Sequence, residues 1–417
     1  MTSLAVASLR TRIDEFSLAI DRQREILKDL ETQKSTVQGD LNAILDPMAR
    51  IPVEISSDIM LRCLPTTIQP DPRAAPMLFL NICRSWSTIA LSMPALWSSI
   101  QIDTKIREGF GELVDHWLAR AATRSLFLSF HVTEPSLGLT ALARRHVHKA
   151  QTLDLQLPSL SYLREVTQSI PFPVLATLTI IGRGEDRDDI DYDVSECVEM
   201  LRSAPNLVAC TFNGIYYFDD VPTSVTVTHT SLKRLSLHGY PFGIDSEPLY
   251  PSSAYILQHL TLPALEHLSI SCDEISRDDL CAFLARSSPP LKSLCISTRN
   301  FYDVEHLLQL IPTVTDLYLW SEDFAFSVIT AIGSRFLPNI RNLMIYGNPV
   351  RDEYAQVLRA LSVRRATGTP LQSFKFLWGW DWGKERDDEL SEIIAGMRQL
   401  VTDGMDIYIG PDSRNLI

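Results

Sequence analysis

Apolar residues recur along this chain in three different periods, and each change of period marks a change of structure. Over residues 9 to 44 the period is seven. Leu9, Phe16, Gln23, Leu30, Val37 and Ile44 share one heptad position, and Ile13, Ile20, Leu27, Lys34 and Leu41 share the other. Nine of these eleven are apolar, and the residues between them, Asp14, Glu15, Arg22, Arg24, Glu25 and Lys28 among them, are charged. A narrow seam of this kind predicts a long helix, roughly 50 Å at ~1.5 Å per residue, whose apolar edge needs a partner. Two partners fit: a second copy of the chain as a parallel homodimer through residues 9–44, or another part of the same chain. Asp46-Pro47 ends the segment.

From residue 51 to 102 the period shortens to that of two brief helices. Pro52 suits a first helical turn, and Ile55, Ile59, Met60 and Cys63 follow at one-face spacing until Pro65 stops the run. After a loop carrying Pro70 and Pro72, the residues Phe79, Ile82, Trp86 and Ile89 predict a second amphipathic helix ending before Pro94. Leu96, Trp97, Ile100 and Ile102 come next, and Trp97, Ile100 and Ile102 are expected to pack onto the first turns of the domain that follows. A unit of ~50 residues has difficulty burying enough surface alone. Pro52, Ile55, Ile59 and Leu64 are therefore expected to stay partly exposed in the isolated chain.

Beyond a helical stretch, Ile106 to Ala121, and the alternating Leu126, Leu128 and Phe130, a third pattern takes over. A triplet L-x-x-[LCF]-x-[LIF], or a close variant of it, recurs nine times, with its second apolar position at 153, 178, 210, 235, 268, 294, 317, 343 and 374. Steps of 23 to 33 residues, with amphipathic helical stretches between them and Pro often just ahead of the next triplet, predict stacked strand-and-helix units with one shared core. The fold class expected is α/β: an irregular leucine-rich-repeat solenoid over residues 103–417, a short helical unit at 47–102 and a long N-terminal helix at 1–46.

The middle stretch carries a resemblance to a known family. Ile51-Pro52 with Glu54, Leu64-Pro65, Ile82-Cys83-Arg84-x-Trp86, Ile89-Ala90 and Met93-Pro94-x-Leu96-Trp97 occur in the order found in the F-box, in the form common in mushroom-forming fungi. The match covers about one eighth of the chain. What the resemblance implies is an adaptor of an SCF-type ubiquitin ligase: the F-box-like unit docks on a Skp-type linker protein, and through it on a cullin ligase, while the repeat array selects a protein substrate. By position in the motif, Pro52, Ile55, Ile59, Leu64, Pro65, Cys83 and Trp86 are the linker-facing or helix-packing candidates. A non-ligase interaction scaffold, with the F-box-like unit purely structural, is the alternative.

Composition narrows the rest. A net charge of −13 without a Lys/Arg cluster gives no electrostatic footprint for nucleic acid or an anionic membrane. No apolar run is long enough to span a bilayer, and the N-terminus lacks a signal-peptide pattern. Seven irregularly spaced Cys fit free thiols in the cytoplasm or nucleus. No metal-ligand spacing or phosphate-binding glycine loop is found, so no cofactor and no catalytic residue is expected. A Cys/His/Asp set on successive strands, His267, Cys295 and Asp316, is the nearest approach to hydrolase chemistry. The acidic stretch Glu185 to Glu199 reads as a solvated insertion, since its Asp189-x-Asp191-x-Asp193 lacks the glycine and glutamate of a calcium loop.

Strand positions flanking the triplet apolars should point to solvent. Aromatics gather there toward the C-terminus: Tyr318, Trp320, Tyr346 and Trp378, with Asp316 and Met344 beside them, followed by Trp380 and Trp382. Large rigid aromatics beside Met suit a binding surface, and this set is the expected substrate site. Trp380 and Trp382 serve equally well as a cap on the open end of the array.

Overall fold

The computed structural model describes the chain except residues 1, 46, 104–109, 134–136, 158–159, 168–169, 183–193, 215–225, 240–252, 273–274, 299–303, 321–336, 348–350, 367–370, 379–387, 412–414 and 416. The chain forms two compact units, residues 1–101 with 112–124, and residues 102–111 with 125–417.

In the first unit the heptad stretch is one helix, α1 (Thr2–Leu45). Polar side chains on it bond locally: Thr32 and Thr36 donate to the carbonyls of Lys28 and Thr32, and Gln33 donates to Asp29 at 2.9 Å. The seam is exposed along its length.

The next helix, α2 (Val53–Arg62), starts where Pro52 accepts the backbone N–H groups of Ile55 and Ser56. Its inward face is not the one that the apolar spacing picks out. Ser56 and Met60, four residues apart, are buried, and the Ser56 hydroxyl donates to the Met48 carbonyl at 3.2 Å, which lets a polar residue occupy the inner face. Ile55, Ile59 and Cys63 are exposed, so Met60 does not share their face.

The second expected helix is broken. Met77–Asn81 is a 3-10 turn, Cys83 is extended with φ −160° and ψ 172°, and only then does α3 (Arg84–Leu91) begin. Phe79 thereby turns inward, with its ring 5.7 Å from that of Trp86, while Ile82 at the break is left exposed. Trp97 is fully buried and donates Nε1–H to the Ala90 carbonyl at 2.9 Å. Its ring meets Trp117 of α4 (Phe110–Arg120), so Trp97 does pack on a helix from the 103–417 span, but residues 112–124 of that span belong to the first compact unit.

The chain holds a twelve-stranded parallel sheet, which from its second strand onward belongs to the second unit, and its strands lie in chain order. They are β1 (Ser99–Asp103), β2 (Leu126–His131), β3 (Ala150–Leu157), β4 (Thr177–Gly182), β5 (Ala209–Asn213) and β6 (Arg234–His238). β7 (His267–Ser271), β8 (Ser293–Ser297), β9 (Asp316–Trp320), β10 (Asn342–Tyr346), β11 (Ser373–Trp378) and β12 (Asp406–Pro411) complete it. The triplet positions stay in register from strand to strand. Leu153, Leu178, Cys210, Leu235, Leu268, Leu294, Leu317, Leu343, Phe374 and Ile407 form one continuous row, and the residue two further on forms a second. Every member of both rows is buried. At ~1.5–3 kcal/mol per fully buried large side chain, these rows are the main driving force of the unit.

Helices or turns occupy the connections, including α5 (Leu137–His146), α6 (Leu160–Thr167), α7 (Val194–Ser203), α8 (Arg277–Ser287) and α9 (Val304–Leu310). The last two are α10 (Arg351–Ala366) and α11 (Asp388–Thr402). Part of the expected acidic loop is helical: α7 begins at Val194 and buries Cys197 and Val198, because its apolar residues recur at helical spacing once the Asp run ends. Asp189, Asp191 and Asp193 lie outside the described residues.

Successive connections are also tied through their backbones. Asn206 donates to the Pro173 carbonyl at 2.7 Å, Asn339 to the Pro312 carbonyl at 3.0 Å, and Thr313 to the Leu291 carbonyl at 2.7 Å. Arg286 of α8 reaches the carbonyls of Leu257 and Leu260, and the buried Arg364 of α10 reaches that of Leu337.

Candidate interaction surfaces

In the first unit, α2 turns its apolar side chains outward. Val53 and Ile55 are each 53% exposed and Ile59 is 38% exposed, while Pro52 and Pro65 are exposed and Leu64 is half-buried. Arg62 and Asp58 form an exposed ion pair at 2.8 Å on the same helix. Cys83 and Trp86, from the second half of the motif, are half-buried, and the Cys83 thiol lies 3.3 Å from the Ser85 hydroxyl. Leu61, Leu78, Ile82 and Leu91 are also exposed, which apolar periodicity alone does not reveal. These exposed large apolar side chains make the unit a candidate for an interaction surface. A cleft of about 400 Å³ lies between Glu31, Lys34, Ser35, Gln38 and Gly39 of α1 and the break at Ile82 and Cys83.

In the second unit, the strand pairing aligns the flanking residues into rows. Cys295, Tyr318, Met344, Lys375 and Tyr408 form one, and Ser297, Trp320, Tyr346 and Leu377 form the next. Trp320 is 53% exposed, and its ring lies 4.5 Å from that of Tyr346 at an interplanar angle of 44°. Asp316 accepts from Asn342 Nδ2 at 2.5 Å and from the Thr315 hydroxyl at 2.6 Å, so its carboxylate is held at the row's edge. Burial, followed by the negative charge of Asp316 and the Cys295 thiol, pushes the Tyr318 hydroxyl above its usual range. Tyr318 therefore offers a neutral donor. Trp378 closes β11, its side chain lying outside the described residues, as do Trp380 and Trp382.

The His267, Cys295 and Asp316 set is split between rows. His267 and Asp316 align with Ser293, whereas Cys295 aligns with Ser269 and Tyr318. Burial pushes the Cys295 thiol up, against a smaller opposing effect of its hydrogen bond with Ser269. A raised thiol pKa works against the thiolate that nucleophilic chemistry uses.

Two charged features escape a reading built on apolar periods. Glu266, just before β7, bonds to Lys292 Nζ at 2.5 Å and Lys233 Nζ at 3.2 Å, and these partners lower its carboxyl to about 2. His131 lies between Asp103 at 3.5 Å and Asp154 at 3.7 Å, and Asp154 also accepts from the Ser129 hydroxyl at 3.0 Å. The signal for Glu266 is residues of opposite charge immediately ahead of successive strands, and for His131 polar residues at neighbouring places of successive strands. Among the described residues, no group of three His, Cys, Asp or Glu is placed to hold a metal ion, and no helix is long and apolar enough to cross a membrane.

No protein-family model matches this chain, and no curated protein is significantly similar to it.

Proposed function

We propose that the chain is the substrate-recognition adaptor of an SCF-type ubiquitin ligase in the cytoplasm or nucleus. Residues 47–102 act as an F-box-like unit that docks a Skp-type linker and through it a cullin ligase. Residues 103–417 act as an irregular leucine-rich-repeat solenoid whose flanking rows bind a protein substrate. The observation that carries the reading is the outward apolar face of α2, where Val53, Ile55 and Ile59 stand exposed while Met60 anchors the helix from inside. Burying such a face on a partner recovers the apolar area that the small unit leaves in water. The unbroken register of the triplet rows across ten strands supports the repeat assignment. Trp320, half exposed, and Tyr346, in tilted ring contact with it, support the substrate side.

The test is co-purification of a Skp-type linker with the full chain, with the deletion of 51–102, and with the double variant Ile55→Asp/Ile59→Asp. The expected outcome is capture by the first and loss from the other two. Capture that survives the deletion would falsify the assignment. A well-folded full chain that captures no linker would favour the scaffold alternative.

A further inference from the structure

Every apolar residue in the seam of α1 from Ile13 to Ile44 is open to solvent. Ile13, Phe16, Ile20, Leu27, Leu30, Val37, Leu41 and Ile44 are 48% to 68% exposed, and the polar seam residues Gln23 and Lys34 are exposed too. The cleft at Ile82 and Cys83 is lined by Glu31, Lys34, Ser35, Gln38 and Gly39. At about 100° per residue, that side is centred roughly a quarter turn from the seam; Lys34 alone belongs to both, and it remains exposed, so the apolar seam residues are left free.

We propose that α1 pairs with α1 of a second copy of this chain, antiparallel, with Gln23 of each helix facing Lys34 of the other. In this register Ile13 meets Ile44, Phe16 meets Leu41, Ile20 meets Val37 and Leu27 meets Leu30, and two-fold symmetry repeats each pairing. Every apolar seam residue in this span then meets another apolar residue. The two polar ones meet each other, and the Lys34 ammonium can donate to the Gln23 side-chain carbonyl.

Other arrangements lose this match. A parallel pairing in register sets Lys34 on Lys34, two like charges brought together in a closing seam. Sliding the antiparallel pair by one heptad sets Gln23 against Leu27 or Leu41, and Lys34 against Phe16 or Leu30, leaving polar groups buried without partners. In the matched register Arg24 of each helix also flanks Glu31 of the other, so the rim charges are complementary. The overlap of residues 13–44 runs about 48 Å. Eight half-exposed large side chains from each helix, at roughly 80 Å² apiece, supply about 1,300 Å², within the range of stable interfaces. The inference stands independently of the ligase reading.

Disulfide trapping on the full chain tests both pairing and direction. In a Cys63→Ser background, which removes an exposed thiol, the variants Gln23→Cys and Lys34→Cys are oxidised separately and as an equimolar mixture. The expected result is a cross-linked dimer in the mixture and not from either variant alone, together with a dimeric mass for the parent chain by sedimentation. Cross-linking of each variant with itself would establish a parallel pair and overturn the proposal. A monomeric mass without cross-linking would overturn it as well. Leu27→Glu is expected to abolish the dimer while leaving the helical circular dichroism unchanged, because Leu27 makes its apolar contacts only across the seam.

Discussion

Trp97 meets Trp117 edge-on, with ring centroids 4.9 Å apart and planes at 80°. Both are fully buried, and the Arg120 guanidinium covers the Trp97 ring at 4.8 Å. This contact joins the end of the stretch 47–102 to a helix from beyond it. Trp97→Ala is therefore expected to destabilise the unit by about 3–5 kcal/mol, measured by urea denaturation. The two phenylalanine variants should differ. Trp97→Phe removes one of two bonds to the Ala90 carbonyl, which keeps the Met93 N–H at 3.3 Å, at a cost of about 0.5–1.5 kcal/mol, whereas the Trp117 Nε1–H has no partner among the described residues. Equal losses in the two variants would contradict this account.

The inward and outward faces of α2 give opposite expectations for neighbouring residues. Met60 is fully buried, so Met60→Ala should cost about 2–5 kcal/mol. Ile55 is 53% exposed, and Ile55→Ala should lie within about 0.5 kcal/mol of the parent. Thermal unfolding of the two variants checks the assignment. A large loss at Ile55 would mean that its face is already covered.

Those residues also show what the sequence could and could not reveal. The triplets are legible because a two-residue alternation that repeats at a roughly constant step has few structural interpretations, and all nine became strands in register. The final strand, with Ile407 and Ile409, has the same alternation but lacks a leucine three residues ahead. Helix faces were less legible. Ser56 is buried because a hydroxyl can bond the Met48 carbonyl, and nothing in apolar periodicity marks such a residue. The break at Cys83 interrupts a period that reads as continuous, since Ile82 is apolar yet exposed. The sites divide similarly: alternation placed Tyr318, Trp320, Met344 and Tyr346 on flanking rows, while Lys233, Glu266 and Lys292 form their ladder through strand pairing.

Glu266 should shape the acid limb of stability. Its two lysine partners hold the folded carboxyl at about 2, below the ordinary 4.5, so its contribution is complete above pH 4.5 and fades as pH falls toward 2. Glu266→Gln is expected to lower stability at neutral pH and to flatten the loss between pH 4.5 and 2. Denaturant midpoints across that window measure it. An unchanged acid limb would show that the lysines do not bind the carboxylate in solution.

Trp320 separates binding from folding. Its ring is half exposed and contacts Tyr346, so Trp320→Ala should cost only about 1 kcal/mol. Phe376, fully buried, should cost about 3–5 kcal/mol on the same truncation. With an identified substrate, Trp320→Ala and Tyr318→Ala should each weaken capture at least tenfold while the thermal midpoint barely moves. Unchanged capture by both would remove the flanking rows as the substrate surface.

The thiols supply the last expectation, because their environments differ more than their chemistry. Cys63 is exposed, Cys295 is half-buried, and Cys197, Cys210, Cys272 and Cys281 are buried. Burial pushes the thiols of Cys210 and Cys295 up, so each stays protonated at neutral pH and loses the nucleophilic form. Alkylation by iodoacetamide at pH 7.5, followed by peptide mass spectrometry, should therefore label Cys63 first and Cys295 much more slowly, with the Cys295 rate rising as the pH is raised. The ratio of these two rates carries the mechanistic content. A hydrolase built on Cys295 would require an activated thiolate, which His267 would have to generate from a neighbouring row. If Cys295 reacted as fast as Cys63 at neutral pH despite its burial, such activation would be present, and Cys295→Ala assayed for thiol-dependent hydrolysis would become the decisive measurement.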